Sequence, residues 1–142
     1  MLKNINPLLT GPLLAILADM GHGDEIVIAD ANFPADAVAQ RLIQMPGISA
    51  TEVQEAILSV FPLDDFVDQP TAVMRVPEGN GRAPVYDEFD AISAAAEGKT
   101  IGLELIDRFA FYDRSKEAYA VVSTGERRLY ANIILKKGVI RA

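Results

Sequence analysis

Apolar residues along the chain alternate between helical spacing and short continuous runs, and this alternation predicts short helices and strands. Leu13, Leu17 and Met20 recur at intervals of three or four residues, as on one face of a helix. The Thr-Gly-Pro sequence at 10–12 supplies a capping residue and a proline in the first turn. Residues 25–29 form a short, mostly apolar run rich in β-branched side chains, which is typical of a buried strand. The chain therefore begins with a predicted helix, a turn and a strand.

The same two patterns continue to the end of the chain. Further helices are predicted at 50–60 and 85–96, a candidate helix at 107–116, and further strands at 71–76, 101–106, 118–124 and 131–136. A capping box from Ser49 to Glu52 marks the start of the first of these helices. Residues 41–45 fit either the end of a short helix or a short strand, and the pattern does not choose between them. Interleaved helices and strands favour an α/β fold in which helices cover a mixed or mostly parallel sheet.

The composition indicates one ordinary globular domain over residues 1–142. Half of the residues are hydrophobic, which is enough to build a core in a chain of 142 residues. No cysteine is present, so a disulfide scaffold and thiolate chemistry are excluded. We find no signal-peptide pattern and no apolar run that approaches a membrane span, so we expect a cytoplasmic protein without a membrane partner.

The net charge of −7 argues against a nucleic-acid partner, because binding to the phosphate backbone requires a basic surface. The charge is also uneven along the chain. Residues 1–71 carry two basic and ten acidic side chains, whereas residues 72–142 carry eleven basic and ten acidic ones. This asymmetry is typical of a solvated acidic face, and it would also suit complementary contacts between subunits.

The candidate chemistry centres on residues 20–34. His22 is the only histidine and lies between Gly21 and Gly23, on the turn that precedes the first strand. We predict that Gly21 ends the first helix in a left-handed conformation, and flanking glycines leave the imidazole little shielded. Asp30 follows the strand, and the carboxyl end of a strand is a common ligand site. On spacing alone, the alternatives are a solvated histidine and an aspartate that ends a strand in a turn.

Two other polar stretches carry no predicted chemistry. Asp64, Asp65 and Asp68 form an acidic cluster that lacks the glycine and the distal glutamate of an EF-hand loop. We therefore predict a solvated loop and no metal site. The Gly-Asn-Gly sequence at 79–81 lies in a loop without a phosphate-binding context, so no dinucleotide cofactor is predicted.

Two blocks of sequence resemble the bacterial L-fucose mutarotase and D-ribose pyranase family. The first block comprises residues 4–9, 17–26 and 29–34, and the second comprises residues 108–112, 118–126 and 130–138. The blocks occur in the order found in the family, and the second is especially similar to the fucose branch. The resemblance implies a three-layer α/β/α sandwich and an isomerase that uses neither a cofactor nor a metal. It also implies a homo-oligomer, with a decamer favoured.

Carried over by position, the resemblance implies a monosaccharide site with one proton donor, His22. The residues that it implies for substrate binding are Asp30, Arg108, Tyr130 and Asn132. Histidine suits proton transfer because the ordinary pKa of an imidazole, about 6.5, allows it to act as acid or base near neutrality. We expect Tyr112 and Tyr119 to serve packing rather than binding.

Arg108 indicates which branch of the family the chain resembles. Members of the pyranase branch place a second histidine in the region of Arg108, and this chain has only one histidine. Arginine does not exchange a proton near neutrality but donates several fixed hydrogen bonds, so it would position the sugar. We therefore expect interconversion of the α and β anomers of L-fucose. The alternatives are a D-ribose pyranase and a non-catalytic, monosaccharide-binding transport accessory.

Overall fold

The computed structural model describes all 142 residues and contains six strands and five helices. The helices are α1 (Gly11–Asp19), α2 (Ala35–Val38), α3 (Ala50–Leu58), α4 (Val85–Glu97) and α5 (Arg108–Glu117). The strands are β1 (Glu25–Ala29), β2 (Leu42–Met45), β3 (Thr71–Met74), β4 (Leu103–Ile106), β5 (Ala120–Thr124) and β6 (Ile133–Lys136). The open choice at residues 41–45 is thus resolved in favour of a strand.

All six strands form one sheet in the order β2-β5-β1-β6-β3-β4. Five strands point in the same direction, whereas β6 runs antiparallel to both of its neighbours, β1 and β3. The predicted mixed, mostly parallel sheet is therefore confirmed. The carboxyl ends of the five parallel strands and the start of β6 meet at one end of the sheet, which we call the carboxyl end. The opposite end, where β1 begins, is the amino end.

Helices cover both faces of the sheet, so successive side chains of β1, which point to opposite faces, lie in two different cores. Ile26 and Ile28 belong to a cluster of 24 buried residues that includes residues of α1, α3 and α4. Val27 and Ala29 belong to a second cluster of 10 buried residues, which includes residues of α2 and α5. The expected three-layer α/β/α sandwich is thereby confirmed. A central strand buried on both faces must be apolar throughout, which is the pattern that β1 shows.

Local signals set three helix ends as predicted. The Thr10 hydroxyl accepts a hydrogen bond from the Leu13 N–H at 3.4 Å, which caps α1. Ser49 and Glu52 form the predicted capping box at the start of α3. Gly98 ends α4 in a left-handed conformation. None of the helices has the length and apolar character required to cross a membrane.

The end of α1 differs from the prediction, and this difference shapes the turn that carries the histidine. Met20 leaves the helix in an extended conformation, and Gly23 rather than Gly21 is left-handed, with a φ angle of 87°. The Gly21 N–H donates a hydrogen bond to the Oδ2 atom of Asp24 at 2.7 Å. The Asp24 carboxylate thus accepts the hydrogen bond that a left-handed Gly21 would otherwise donate to a carbonyl of the last helical turn.

Candidate active site

A cleft of about 190 Å³ opens at the carboxyl end of the sheet. Its walls are formed by Asp30, Asn32, Phe33, Met74, Arg108, Tyr112, Leu129, Tyr130 and Asn132. This set includes all four residues predicted to bind substrate. They converge because β6 lies between β1 and β3, so that the segment before β6 meets the segments that follow β1 and β4. The fold thus assembles polar side chains that are far apart in the sequence.

Asp30 and Asn132 form a buried pair in this cleft. Ile28 pairs with Ile133 across the antiparallel strands, so the residues just beyond this pair lie side by side. The side-chain oxygen of Asn132 accepts from the Asp30 N–H at 2.6 Å, and the side-chain amide donates to Asp30 Oδ2 at 3.0 Å. The Asn32 N–H donates to Oδ1 at 2.9 Å. Each carboxylate oxygen is therefore fixed while it keeps a lone pair for a ligand.

Burial changes the acid–base character of Asp30. The residue is only 6% exposed, and this burial raises the pKa of its carboxyl group above the ordinary value. Hydrogen bonds from Asn32 and Asn132 act in the opposite direction, while the negative charge of Glu126 adds a smaller upward effect. A carboxylate with a raised pKa accepts a proton more readily than a free aspartate does. A carboxylate in this state can accept a hydrogen bond from a hydroxyl group and can also take up its proton.

Tyr130 reaches the cleft through an unusual backbone conformation. Its φ angle is 63°, in the left-handed region that large side chains seldom adopt. The Asn132 N–H donates to the Tyr130 carbonyl at 2.8 Å and so closes a tight turn immediately before β6. Strained backbone of this kind persists only where the surroundings hold it, and it is concentrated at functional sites.

Glu126 connects segments that surround the cleft, and nothing in the sequence pattern indicates this role. Its carboxylate is 5% exposed and accepts hydrogen bonds from the backbone and guanidinium N–H groups of Arg128 at 2.9 to 3.0 Å. The Ala50 N–H at the start of α3 also donates to it, at 3.3 Å. The pairing with Arg128 is the main reason that the pKa of Glu126 falls to about 2. The Glu126 carbonyl accepts from the Ala31 N–H at 2.8 Å, so this residue joins three segments around the cleft.

Arg108 enters the cleft from the first turn of α5. Its Nε donates to the Tyr112 hydroxyl at 3.2 Å, because residues four apart share one face of a helix. The terminal NH₂ groups of the guanidinium make no hydrogen bond within the chain and are free to donate to a ligand in the cleft. Tyr112 also packs on Phe33, with ring centroids 5.5 Å apart, so it lines the cleft in addition to serving packing. Tyr119 lies outside the cleft, where the Arg41 guanidinium stacks 3.8 Å from its ring centroid.

His22 lies at the amino end of the sheet, away from the other predicted site residues. Its Nε2 atom is 3.0 Å from Oδ1 of Asp64, and its ring meets that of Phe66 edge-on with centroids 4.7 Å apart. β1, whose five residues span roughly 16 Å, separates His22 from Asp30. Within one chain, therefore, the histidine and the cleft do not form one site.

Large apolar side chains are exposed at both ends of the sheet. Leu129 lines the cleft and Phe109 lies beside it against the Tyr112 ring, while Phe66 and Ile140 lie at the end that carries His22. All four are at least 65% exposed. Grouped apolar exposure of this kind marks surfaces that contact other molecules.

Comparison with known proteins identifies the family. A model of the RbsD / FucU transport protein family matches residues 3–140. The chain belongs to this family. The match spans the helices, the sheet, the cleft and the histidine turn, so every residue considered for the site lies within the part shared with the RbsD / FucU family.

Individual members of the RbsD / FucU family differ in how closely they match. The L-fucose mutarotase of Glaesserella parasuis is 48% identical over 140 residues, covering 98% of this chain and 96% of the relative. The structure of the fucose mutarotase from Streptococcus pneumoniae in complex with L-fucose matches with a TM-score of 0.92 and 41% identity, over 99% of this chain and all of the other. Bacillus subtilis RbsD complexed with D-ribose matches over the same share of this chain and all of its own, but with a TM-score of 0.72 and 28% identity. This chain is thus more similar to the fucose-binding relative than to the ribose-binding one.

Proposed function

We propose that this protein is an L-fucose mutarotase, an isomerase that interconverts the α and β anomers of the sugar. The observation that carries the proposal is the cleft at the carboxyl end of the sheet, in a chain that matches fucose mutarotases along nearly its whole length. There a buried carboxylate, an amide, a tyrosine and a guanidinium converge. Such a set can hold several hydroxyl groups of one monosaccharide in fixed positions.

The reaction requires only that protons move. When the ring opens, the bond between the anomeric carbon and the ring oxygen breaks, the ring oxygen gains a proton, and the anomeric hydroxyl loses one to leave a carbonyl. When the ring closes on the other face of the carbonyl, the same transfers run in reverse. Well-placed acid–base catalysis contributes about 10²–10⁴-fold to the rate of such a reaction, and orientation of the bound sugar adds to it. The chemistry therefore calls for neither a metal nor a redox cofactor.

Each of the five predicted site residues has a role in this scheme. Arg108 and Asn132 donate hydrogen bonds that position the sugar, and Tyr130 lines the wall beside them. Asp30 accepts the proton of the anomeric hydroxyl, a role that suits a carboxylate whose pKa is raised by burial. His22 donates a proton to the ring oxygen and recovers one on closure.

The position of His22 requires that this proton come from a second copy of the chain. The exposed apolar side chains at the two ends of the sheet favour a head-to-tail contact that brings the amino end of one copy to the carboxyl end of the next. Contacts of this heterologous type generate closed rings when the rotation between copies closes. The assembly we favour is a homo-oligomeric ring system, specifically a decamer. A monomer by native mass spectrometry at micromolar concentration would contradict this part of the proposal.

The decisive measurement is anomer-exchange NMR at equilibrium, with L-fucose and D-ribose in parallel. We expect faster exchange of the fucose anomers than pyranose–furanose conversion of ribose, because the cleft offers Arg108 for positioning and the chain has no second histidine for proton transfer. If ribose were converted faster than the fucose anomers exchange, the protein would instead be a D-ribose pyranase. If neither sugar exchanged faster than in buffer, the mutarotase proposal would be wrong.

One observation favours a second candidate, a non-catalytic monosaccharide-binding protein. A lone copy of the chain has the cleft but no histidine in it, so it would bind a sugar without catalysing exchange. A mixing experiment separates the two. The variants His22→Ala and Asp30→Ala should each be inactive, while subunits exchanged between them should recover about a quarter of the wild-type rate, because half of the clefts and half of the histidines are intact. A pure binding protein would show no activity in any of the three samples.

A further inference from the structure

We propose that Asp64 is a positioning residue that fixes the tautomer of His22, so that Nδ1 is the ring nitrogen that exchanges a proton with the sugar. The inference rests on the proposed function for its chemical meaning. Its geometric basis is independent: Nε2 of His22 lies 3.0 Å from Oδ1 of Asp64, and the two side chains differ sharply in exposure, at 41% for the histidine and 4% for the aspartate.

Two hydrogen bonds hold Asp64 in place, one at its backbone and one at its carboxylate. The Asp64 N–H donates to the Lys136 carbonyl at 3.0 Å, which ties the residue to the end of β6. The Phe66 N–H donates to Oδ1 at 3.1 Å, on the same oxygen that faces the histidine. A buried carboxylate fixed in this way serves as a stationary acceptor, and it can orient a neighbouring group without moving itself.

An ionised carboxylate can only accept hydrogen bonds, so the proton between the two groups belongs to Nε2 of the imidazole. The neutral histidine is then the tautomer with N–H at Nε2 and a lone pair at Nδ1. Phe66 closes one side of the ring, and rotation of the imidazole would break the hydrogen bond to Asp64. Nδ1 is therefore the only ring nitrogen left to bind and release the catalytic proton.

This arrangement matters for mutarotation because the same nitrogen must donate a proton on ring opening and recover it on ring closure. A histidine free to change tautomer would present an N–H and a lone pair at the reacting position at different times. With Nε2 committed to Asp64, every turnover returns the ring to one starting form. In hydrolases, a change that leaves the histidine of a catalytic triad in the wrong tautomer costs orders of magnitude in rate.

The test uses the fact that the chain has only one histidine. In protein labelled with ¹⁵N, two-bond proton–nitrogen spectra of the imidazole report which nitrogen carries the proton, and no resonance assignment is needed. The spectra should be recorded on the assembled wild-type protein at a pH where the ring is neutral. We expect the pattern of the Nε2–H tautomer. The pattern of the Nδ1–H tautomer would overturn the proposal whether or not the protein is active.

Variants extend the test to catalysis. Asp64→Asn should give a mixture of tautomers, slow L-fucose exchange at saturating sugar by at least about tenfold and leave the KM nearly unchanged. Asp68→Asn, which removes the same charge from an exposed position of the same loop, should alter neither the spectrum nor the rate. Asp64→Glu should restore part of the rate if the carboxylate is what matters. An active wild type whose rate is unaffected by Asp64→Asn would overturn the role of Asp64, whereas an inactive wild type would instead count against the proposed function.

Discussion

The two ends of the sheet differ in how many groups they bring together. At the carboxyl end, polar side chains from three separated segments converge in one cleft and bind one another. At the amino end, a half-exposed histidine has a single buried carboxylate as its polar partner. Recognition of a sugar needs many fixed donors and acceptors, whereas transfer of a proton needs one group in a defined protonation state. Under the proposed mechanism, sugar positioning and proton supply lie at opposite ends of the sheet, and contact with a second copy would combine them.

The largest effect is expected from removing His22, the proposed proton donor. His22→Ala should lower the acceleration of L-fucose exchange by about 10²-fold or more, because general acid catalysis is lost. Affinity for the sugar, measured by titration calorimetry, should change little, because the cleft of each copy is intact. Circular dichroism should confirm the fold. Unchanged exchange would remove His22 from the mechanism and leave the carboxyl end as the whole site.

Much of the fold follows from local patterns in the sequence. The capping box at Ser49, the left-handed cap at Gly98 and the apolar run of β1 each act through neighbouring residues, so the sequence is sufficient to predict them. Residues 42–45 are different, because Leu42 and Ile43 are only partly buried and four residues carry little periodicity. Their pairing with β5 decides that they form a strand, and that pairing lies in the tertiary structure.

The site was predictable only in part, and for a related reason. Resemblance to a family indicated the four polar residues of the cleft, and the structure places them together. The distance of His22 from Arg108, Tyr130 and Asn132 depends on the strand order, which brings these three residues to the carboxyl end beside Asp30. The support from Glu126 depends on contacts with Ala50 and Ala31, which are remote in the sequence. Neither feature leaves a periodic signal.

A smaller effect is expected from a conservative change in the cleft, and it should change the KM rather than the rate at saturating sugar. Arg108→Lys keeps the positive charge but loses the planar set of donors, so it should raise the KM for L-fucose by about tenfold while the rate at saturating sugar changes little. Arg127→Lys, at an exposed position outside the cleft, is the matched control and should match the wild type. A fall in the saturated rate with an unchanged KM would mean that Arg108 acts in proton transfer, and the separation of roles would fail.

The smallest effect on sugar binding should come from Glu126→Gln, which weakens hydrogen bonds between the segments around the cleft and changes no residue of its walls. We expect the KM to rise a few-fold and the free energy of unfolding at pH 7 to fall by about 1–2 kcal/mol. This loss of stability is small for a buried carboxylate because Arg128, its main partner, is 42% exposed and water screens the ion pair. Glu88→Gln removes an exposed carboxylate on the other side of Arg128 and should change both quantities less.

The contribution of Glu126 to the free energy of unfolding should depend on pH. Burial would raise the pKa of Glu126, but the pairing with Arg128 outweighs it and lowers the pKa from the ordinary 4.5 to about 2, so the folded state favours the ionised form. The stabilisation is complete above pH 4.5 and is lost as the pH falls from 4.5 towards 2. Urea unfolding of the wild type and Glu126→Gln should therefore give a difference that is constant from pH 7 to 5 and shrinks below it. A constant difference down to pH 3 would show that the glutamate acts through its shape rather than its charge, and the cleft would then depend on packing around the loop before β6.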